Sequence, residues 1–268
     1  MASKCLSDEE RFRYSRQTAH YDFNEDDQVR LKCSSVLIVG CGGLGSIVSM
    51  QLAASGIGHL GLIDGDTVEI SNLHRQLIHD ETSVGVNKAI SAERRLVSMN
   101  TNIAIFTYTT FLDADTFLLL VNEELRKFDV IVNCTDSFEG ADQCNRLSVL
   151  MGVPLISASV VETHGELANY NYPAGIGSCY ECVHRSPGLD LRSKRSAAQF
   201  GVFAPVVGIV ASAQALEVMK VLLGKSIAGH TALKSEMALF DCSALSIRKI
   251  KLKQEKRADC KVCSVLKS

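Results

Sequence analysis

The sequence predicts an α/β protein whose doubly wound, mainly parallel sheet is extended by antiparallel strands near the C-terminus. Three observations carry this. Between residues 36 and 158, short apolar runs alternate with segments of helical periodicity. A glycine-rich turn follows the first apolar run and opens the first of those helices. Beyond residue 159, short runs flank a single long helix, which suggests strands added to the same sheet rather than an independent domain.

Taken in order, Val36–Val39 is a short β-run, followed by Gly40-Cys-Gly-Gly-Leu-Gly45. A helix is expected from Leu44 to about Ala54, stopped by Gly56 and Gly58. His59–Ile63 reads as the second strand, ending at Asp64. Ala89, Ala92, Leu96 and Met99 give Lys88–Met99 a helical stripe. Ile103–Tyr108 and Val130–Asn133 are further strands with a helical stretch between them, and Phe138–Met151 is a helix leading to a strand at Pro154–Ala158. Glu166–Tyr172 alternates, and the polar, basic stretch His184–Gln199 reads as a mobile loop. In the greasy segment Val206–Leu223, Gln214, Glu217 and Lys220 form one polar stripe at i, i+3 and i+6, with Glu217 placed to pair with Lys220. That is an amphipathic or mostly buried helix and falls short of a clean membrane span. Leu239–Phe240 and Ser246–Lys253 are short terminal strands. Lys249, Lys251 and Lys253 alternate with Ile250 and Leu252, as on an edge strand guarded by lysines rather than a nucleic-acid patch.

Composition narrows the function. The 268 residues carry 28 basic against 30 acidic side chains, a net charge of −2, and 46% are hydrophobic. This argues against a disordered chain and against a dedicated nucleic-acid binder. Met1–Arg16 lacks the apolar stretch of a secretory signal, so a cytoplasmic protein is expected. Ten cysteines in a reducing compartment would stay free of disulfides.

Gly40-x-Gly42-x-x-Gly45, between a strand and a helix, matches the dinucleotide fingerprint: the backbone approaches phosphate closely and the helix start offers unpaired N–H groups. Asp64, at the end of the next strand, is placed to accept ribose hydroxyl hydrogen bonds. In Ser71-Asn-Leu-His-Arg-Gln76, a helical turn would put Asn72 and Arg75 on one face as phosphate donors, although a solvated surface turn reads as well. Lys88 follows the expected cap Asn87 and opposes the helix dipole unless an anion sits beside it. Asp136 follows the run Val130–Val132, where open α/β sheets place their ligands. It could hold Mg²⁺, or with Glu139 form a capping box for the next helix. An NAD-dependent oxidoreductase would explain the glycine turn but would leave Asn72, Arg75, Lys88 and Asp136 without a joint role. Cys179-x-x-Cys182 and Cys260-x-x-Cys263 fit a four-cysteine structural zinc site, tying the end of the chain to its body, better than a redox dithiol.

Taken together, Arg13-Tyr-Ser-Arg-Gln17, Gly40-x-Gly-Gly-Leu-Gly45, Leu62-Ile-Asp64, Ser71-Asn-Leu-His-Arg-Gln76, Lys88, Cys134-Thr-Asp136 and the cysteine pairs resemble the ThiF/MoeB/HesA adenylyltransferases, bacterial relatives of ubiquitin-activating enzymes. The resemblance covers nearly the whole chain. It implies a Rossmann-like fold in one unit, residues 1–268: an N-terminal helical segment (1–35), a nucleotide-binding core (36–158) and a carrier-binding, zinc-bearing part (159–268). It also implies a homodimer that uses Mg²⁺ and ATP to adenylate the C-terminal glycine of a small ubiquitin-like sulfur carrier ending in Gly-Gly, in thiamin- or molybdopterin-type cofactor synthesis. Gly43 would belong to the nucleotide loop and Asp64 would hold the ribose. Ser71, Asn72, Arg75, Gln76, Lys88 and Ser137 would contact the nucleotide, Asp136 would position Mg²⁺, and Arg16 would reach ATP across the dimer interface. A related enzyme acting on a modified peptide or a tRNA-linked carboxylate is the alternative.

One position departs from the resemblance. Several relatives carry a cysteine eight residues before the proline that opens the late helix; counting back from Pro205 gives Ala197. A covalent carrier intermediate there is not expected, and too little chain follows Cys263 for a sulfurtransferase domain, so either the reaction stops at the adenylate or a separate sulfurtransferase or desulfurase supplies the sulfur. Arg185, Arg192, Lys194 and Arg195 either clamp ATP or an acidic tail, or form a solvated loop.

Overall fold

The computed structural model describes residues 5–113, 128–170, 178–185, 200–234, 236–252 and 257–264. The helical stretch expected between the third and fourth strands, and the loop positions Arg192, Lys194, Arg195 and Ala197, lie outside these residues, as does Lys253.

Three short helices lead in: α1 (Asp8–Arg13), α2 (Ser15–Thr18) and α3 (Glu25–Lys32). Ser7 with Glu10, and Asn24 with Asp27, form reciprocal capping boxes that start α1 and α3. The buried Tyr14 hydroxyl accepts from Asn100 Nδ2 at 2.9 Å, docking this segment on the core.

The core alternates as expected: β1 (Ser35–Val39), α4 (Gly43–Ala54), β2 (His59–Ile63), α5 (Lys88–Met99), β3 (Ala104–Tyr108), β4 (Val130–Asn133), α6 (Phe138–Met151) and β5 (Leu155–Val161). The five strands are parallel in the order β3-β2-β1-β4-β5. The period-two pattern of each strand feeds two cores. Val36 and Ile38 of β1 join the layer of α4 and α5, whereas Leu37 and Val39 join the layer of α6. Fully buried strands of this kind read as continuous apolar runs.

After β5 the chain doubles back. Antiparallel β6 (His164–Tyr170), β7 (Glu236–Asp241) and β8 (Ser246–Lys251) complete an eight-stranded sheet. The β5–β6 reversal is a tight hairpin with Glu162 at φ 56°, a left-handed conformation such turns demand. β8 is exposed along its length and forms the sheet edge, with Lys249 and Lys251 on it as expected.

A one-turn-plus helix, α7 (Tyr180–His184), precedes the long α8 (Ala204–Leu223). By length and composition α8 could cross a membrane. Here it lies against α4, β5 and β6, with Val210, Ala211 and Val218 in the core. Its polar stripe is not solvated. Gln214 is fully buried, donating from Nε2 to the carbonyls of Asn133 (2.9 Å) and Ile156 (3.3 Å). Glu217 is buried as well, accepting from the Leu233 N–H and pairing with Lys220 at 3.2 Å. Buried polar groups survive because each finds a partner.

Candidate nucleotide-binding site and cysteine cluster

Strand order reverses between β1 and β4, and the loops at their carboxyl ends diverge there to leave a crevice. A cavity of about 730 Å³ opens at this point. Its floor is the glycine turn. Gly40 has φ 94°, and a Cβ there would fall 2.8 Å from the Cys134 carbonyl oxygen; a Cβ on Gly45 would fall 1.9 Å from that of Gly40. Only glycine allows this approach, and it brings the β1 and β4 loops together. Gly42 caps α4 without a side-chain bond, so the first N–H groups of the helix are left for a ligand anion.

Asp64 forms the next wall. Its Oδ2 accepts from the Cys41 N–H at 2.7 Å and its Oδ1 from the Asp66 N–H at 2.9 Å. Burial raises its carboxyl above the usual carboxylate range, against the pull of those two N–H groups and of Lys88. Each carboxylate oxygen retains a lone pair for a further donor.

Asn87 caps α5 as expected, its Oδ1 accepting from the Ala89 N–H at 2.9 Å. Lys88 is buried, and its Nζ reaches Asp66 Oδ2 at 2.9 Å. Asp66 therefore supplies the anion that the position of Lys88 at a helix start calls for. The acidic turn Asp64-Gly-Asp66 was visible in the sequence, but nothing in it singled out the second carboxylate.

The two readings of Asp136 are separated by the structure. Ser137 is the cap of α6, its Oγ accepting from the Gly140 N–H at 3.0 Å. Asp136 and Glu139 thus do not form the capping box. Asp136 is exposed to the cavity and makes no hydrogen bond or ion pair among the described residues.

Gly43, Asp64, Arg75, Gln76, Lys88, Asp136 and Ser137 all line the one cavity. Gln76 is buried, and its Oε1 has no partner among the described residues. Arg75 donates from Nη1 to the Ser71 carbonyl at 3.2 Å and contacts His74 Nε2. Ser71 and Asn72 stand on the 3₁₀ turn Ile70–Asn72 outside the cavity lining, so the face shared by Asn72 and Arg75 is not aimed into it as a pair. Arg16 is exposed on α2, away from the lining. Arg185 pairs with Glu181 at 2.8 Å.

A further residue escaped the sequence reading. His79 is buried between the glycine turn and α5, with Nε2 3.0 Å from the Cys41 carbonyl and Nδ1 2.8 Å from Ser91 Oγ. Burial lowers its basicity. The folded state therefore binds fewer protons here than the unfolded chain, and stability falls as pH drops below the ordinary histidine value of about 6.5. Thermal melts from about pH 7.5 down to about pH 5.5 are expected to show this loss, with a shallower slope in His79→Gln; parallel slopes in the two proteins would refute it.

Around α7, Cys179, Cys182, Cys260 and Cys263 are all buried, and their sulfurs lie within 4.8 Å of one another. Cys179 and Cys260 stand 3.7 Å apart, Cys182 and Cys263 3.5 Å. Tetrahedral zinc with Zn–S of about 2.3 Å requires sulfurs about 3.8 Å apart. The donor set and its dimensions fit zinc in a closed, structural site.

Comparison with known proteins agrees with this geometry. A model of the ThiF family matches residues 14–262. The adenylyltransferase and sulfurtransferase MOCS3 of Xenopus laevis is 37% identical over 260 residues, 97% of this chain and 55% of that protein. Its Dictyostelium discoideum counterpart is 36% identical over 251 residues, 94% of this chain and 56% of that protein. The chain thus spans about half the length of the curated relatives it matches. Among solved structures, E. coli MccB with MccA-N7isoASN superposes with a TM-score of 0.77 at 28% identity, covering 98% of this chain and 76% of that one.

Proposed function

Because the chain belongs to the ThiF family, we propose that it is an adenylyltransferase joining AMP to the C-terminal glycine of a small ubiquitin-like sulfur carrier, in thiamin- or molybdopterin-type cofactor synthesis. The observation that carries this reading is the convergence of Arg75, Lys88 and the unpartnered Asp136 on the cavity floored by the glycine turn. A hydride-transferring enzyme has no use for that charge set.

The carrier's terminal carboxylate oxygen attacks the α-phosphorus of ATP; the bond from that phosphorus to the bridging oxygen breaks, and pyrophosphate leaves with the electron pair. Alignment and charge neutralisation do most of the work. Amides at the start of α4, around Gly43, hold phosphate, and Asp64 accepts from the ribose hydroxyls. Arg75 and Lys88 meet the negative charge that builds on the departing pyrophosphate, and Gln76, with its free Oε1, contacts the nucleotide beside them. Mg²⁺, when bound, shields the phosphate oxygens, and Asp136 would hold it. Ser137, which lines the cavity, completes the shell, whereas Ser71 and Asn72 stand outside it and would contact the nucleotide only if their turn moved inward.

Arg16 enters this scheme only from a second copy of the chain. A homodimer is supported by the outward face of α8, where Ile209 and Leu216 are exposed two turns apart. A reducing, cytoplasmic setting would suit ten cysteines of which four gather in the cluster and none forms a disulfide.

ATP–pyrophosphate exchange, with Mg²⁺ and carriers ending in Gly-Gly, tests the reading. Exchange that depends on one carrier is the expected result. ATP binding without exchange for any carrier would overturn it. The second reading, another carboxylate such as that of a modified peptide, would then lead; the similar E. coli MccB was solved with MccA bound.

A further inference from the structure

Glu166 lies on β6, in the middle of the antiparallel half of the sheet. The strand alternates faces: Gly165, Leu167 and Asn169 turn towards α8, where Gly165 abuts Val210 and Asn169 donates to Glu217. Glu166, Ala168 and Tyr170 turn the other way, into the same cavity that holds Asp64, Lys88 and Asp136. This end of the cavity is built differently from the phosphate end. Tyr170, Tyr180 and Met237 make it largely apolar; His184, bonded to Tyr170, with His164 and Glu162 nearer the hairpin turn, also line it, and Glu166 is the carboxylate that β6 itself presents.

No hydrogen bond or ion pair reaches the Glu166 carboxylate among the described residues. In the row of side chains across the sheet, Leu239 faces it from β7, and Leu239 is in turn paired with the exposed Arg248 of β8. That arginine makes no ion pair with it. Burial alone pushes the Glu166 carboxyl above the usual carboxylate range. A carboxylate held half-buried on an apolar wall without a partner is unfavourable, and nothing in the adenylation chemistry requires one here.

Its position relative to the reacting centre follows from the ladder. Glu166 pairs with Ser159 of β5, while Ser157 of β5 pairs with Asn133 at the end of β4. Two inter-strand spacings, about 10 Å, separate β4 from β6. That is the reach of about three extended residues. An acceptor tail with its carboxylate at the β4 loop, running across β5, brings its third or fourth residue from the C-terminus to Glu166. In a tail ending Gly-Gly, these are the first two positions that carry side chains.

We propose that Glu166 is a specificity-determining residue of the acceptor channel, selecting a tail with a basic side chain at the third or fourth position from the reacting carboxylate and excluding an acidic one. The inference rests on the adenylation reading for the direction in which the tail runs.

The test uses binding, so that it is separable from catalysis. Short fluorescent peptides ending in Gly-Gly, identical except for Lys, Gln or Glu at those positions, are titrated by anisotropy with a non-hydrolysable ATP analogue present. The wild-type chain is expected to bind the Lys peptide at least about tenfold more tightly than the Glu peptide. Glu166→Gln flattens that preference, and Glu166→Lys inverts it, while affinity for the ATP analogue is unchanged in both. The same ranking in wild type and Glu166→Lys overturns the proposal, as does failure of every peptide to bind. A charge preference that follows residue 166, in a protein showing no pyrophosphate exchange, upholds the channel and refutes adenylation alone.

Discussion

Asp136→Ala is expected to lower carrier-dependent ATP–pyrophosphate exchange by about 10²–10³ and to leave the melting temperature where it is. The activity loss follows from removing the carboxylate that would hold Mg²⁺ over the phosphates. The unchanged stability follows from the structure: Asp136 is exposed, bonds to nothing among the described residues, and is not the cap of α6, a role taken by Ser137 Oγ. Lys88→Ala makes the informative contrast. It should cost activity to a similar degree, but it also empties a buried side-chain position and strips Asp66 of its partner. A lower melting temperature is therefore expected for that variant alone. Exchange that survives in Asp136→Ala would remove the β4 loop from the chemistry.

Cys260→Ser is expected to lose the metal and to destabilise the fold by about 4 kcal/mol, the cross-link entropy of closing a long loop. The four sulfurs join α7 to the segment at 260–263, and with Val149 and Val262 they form a separate small core. Without the metal, that core retains few apolar contacts to hold the end of the chain. Elemental analysis of the wild-type chain should give one zinc per chain, and chelation should reproduce the melting shift of Cys260→Ser. A metal-free wild type as stable as the loaded one would show that packing alone closes this end. Serine at Cys33 or Cys242, both outside the cluster, serves as the control and should leave zinc content unchanged.

The parallel half of the fold could be read because its signals are local. Apolar runs such as Val36–Val39 and Val130–Asn133 are buried on both faces, and the glycine turn, the Asn87 cap and the helical stripes each declare themselves within a few residues. The cysteine pairs likewise carry their ligand spacing in the sequence. What escaped reading depends on partners far along the chain. Gln214 and Glu217 read only as a polar stripe on an amphipathic or mostly buried helix until the carbonyls of Asn133 and Ile156 and the N–H of Leu233 are placed beside them. His79 acquires meaning only when Cys41 and Ser91 meet its two nitrogens. The strand expected at Leu239–Phe240 runs from Glu236 to Asp241, because pairing with β6 and β8, rather than its own alternation, sets its length. At Asp136 a metal ligand and a capping box both fit the sequence, and the structure removes the second by making Ser137 the cap.

The reversal of strand direction between β5 and β6 bears on how such a protein diversifies. Parallel strands deliver their carboxyl ends to one edge, and the residues after β1, β2 and β4 all gather there. Antiparallel hairpins deliver turns to alternate edges; the β5–β6 turn borders the cavity through Glu162, and beyond it the strands offer a face of side chains. A substitution on that face changes which chain can lie along it without displacing the backbone of the other half. After gene duplication, paralogues can therefore part ways in clientele while inheriting the same phosphate machinery unaltered.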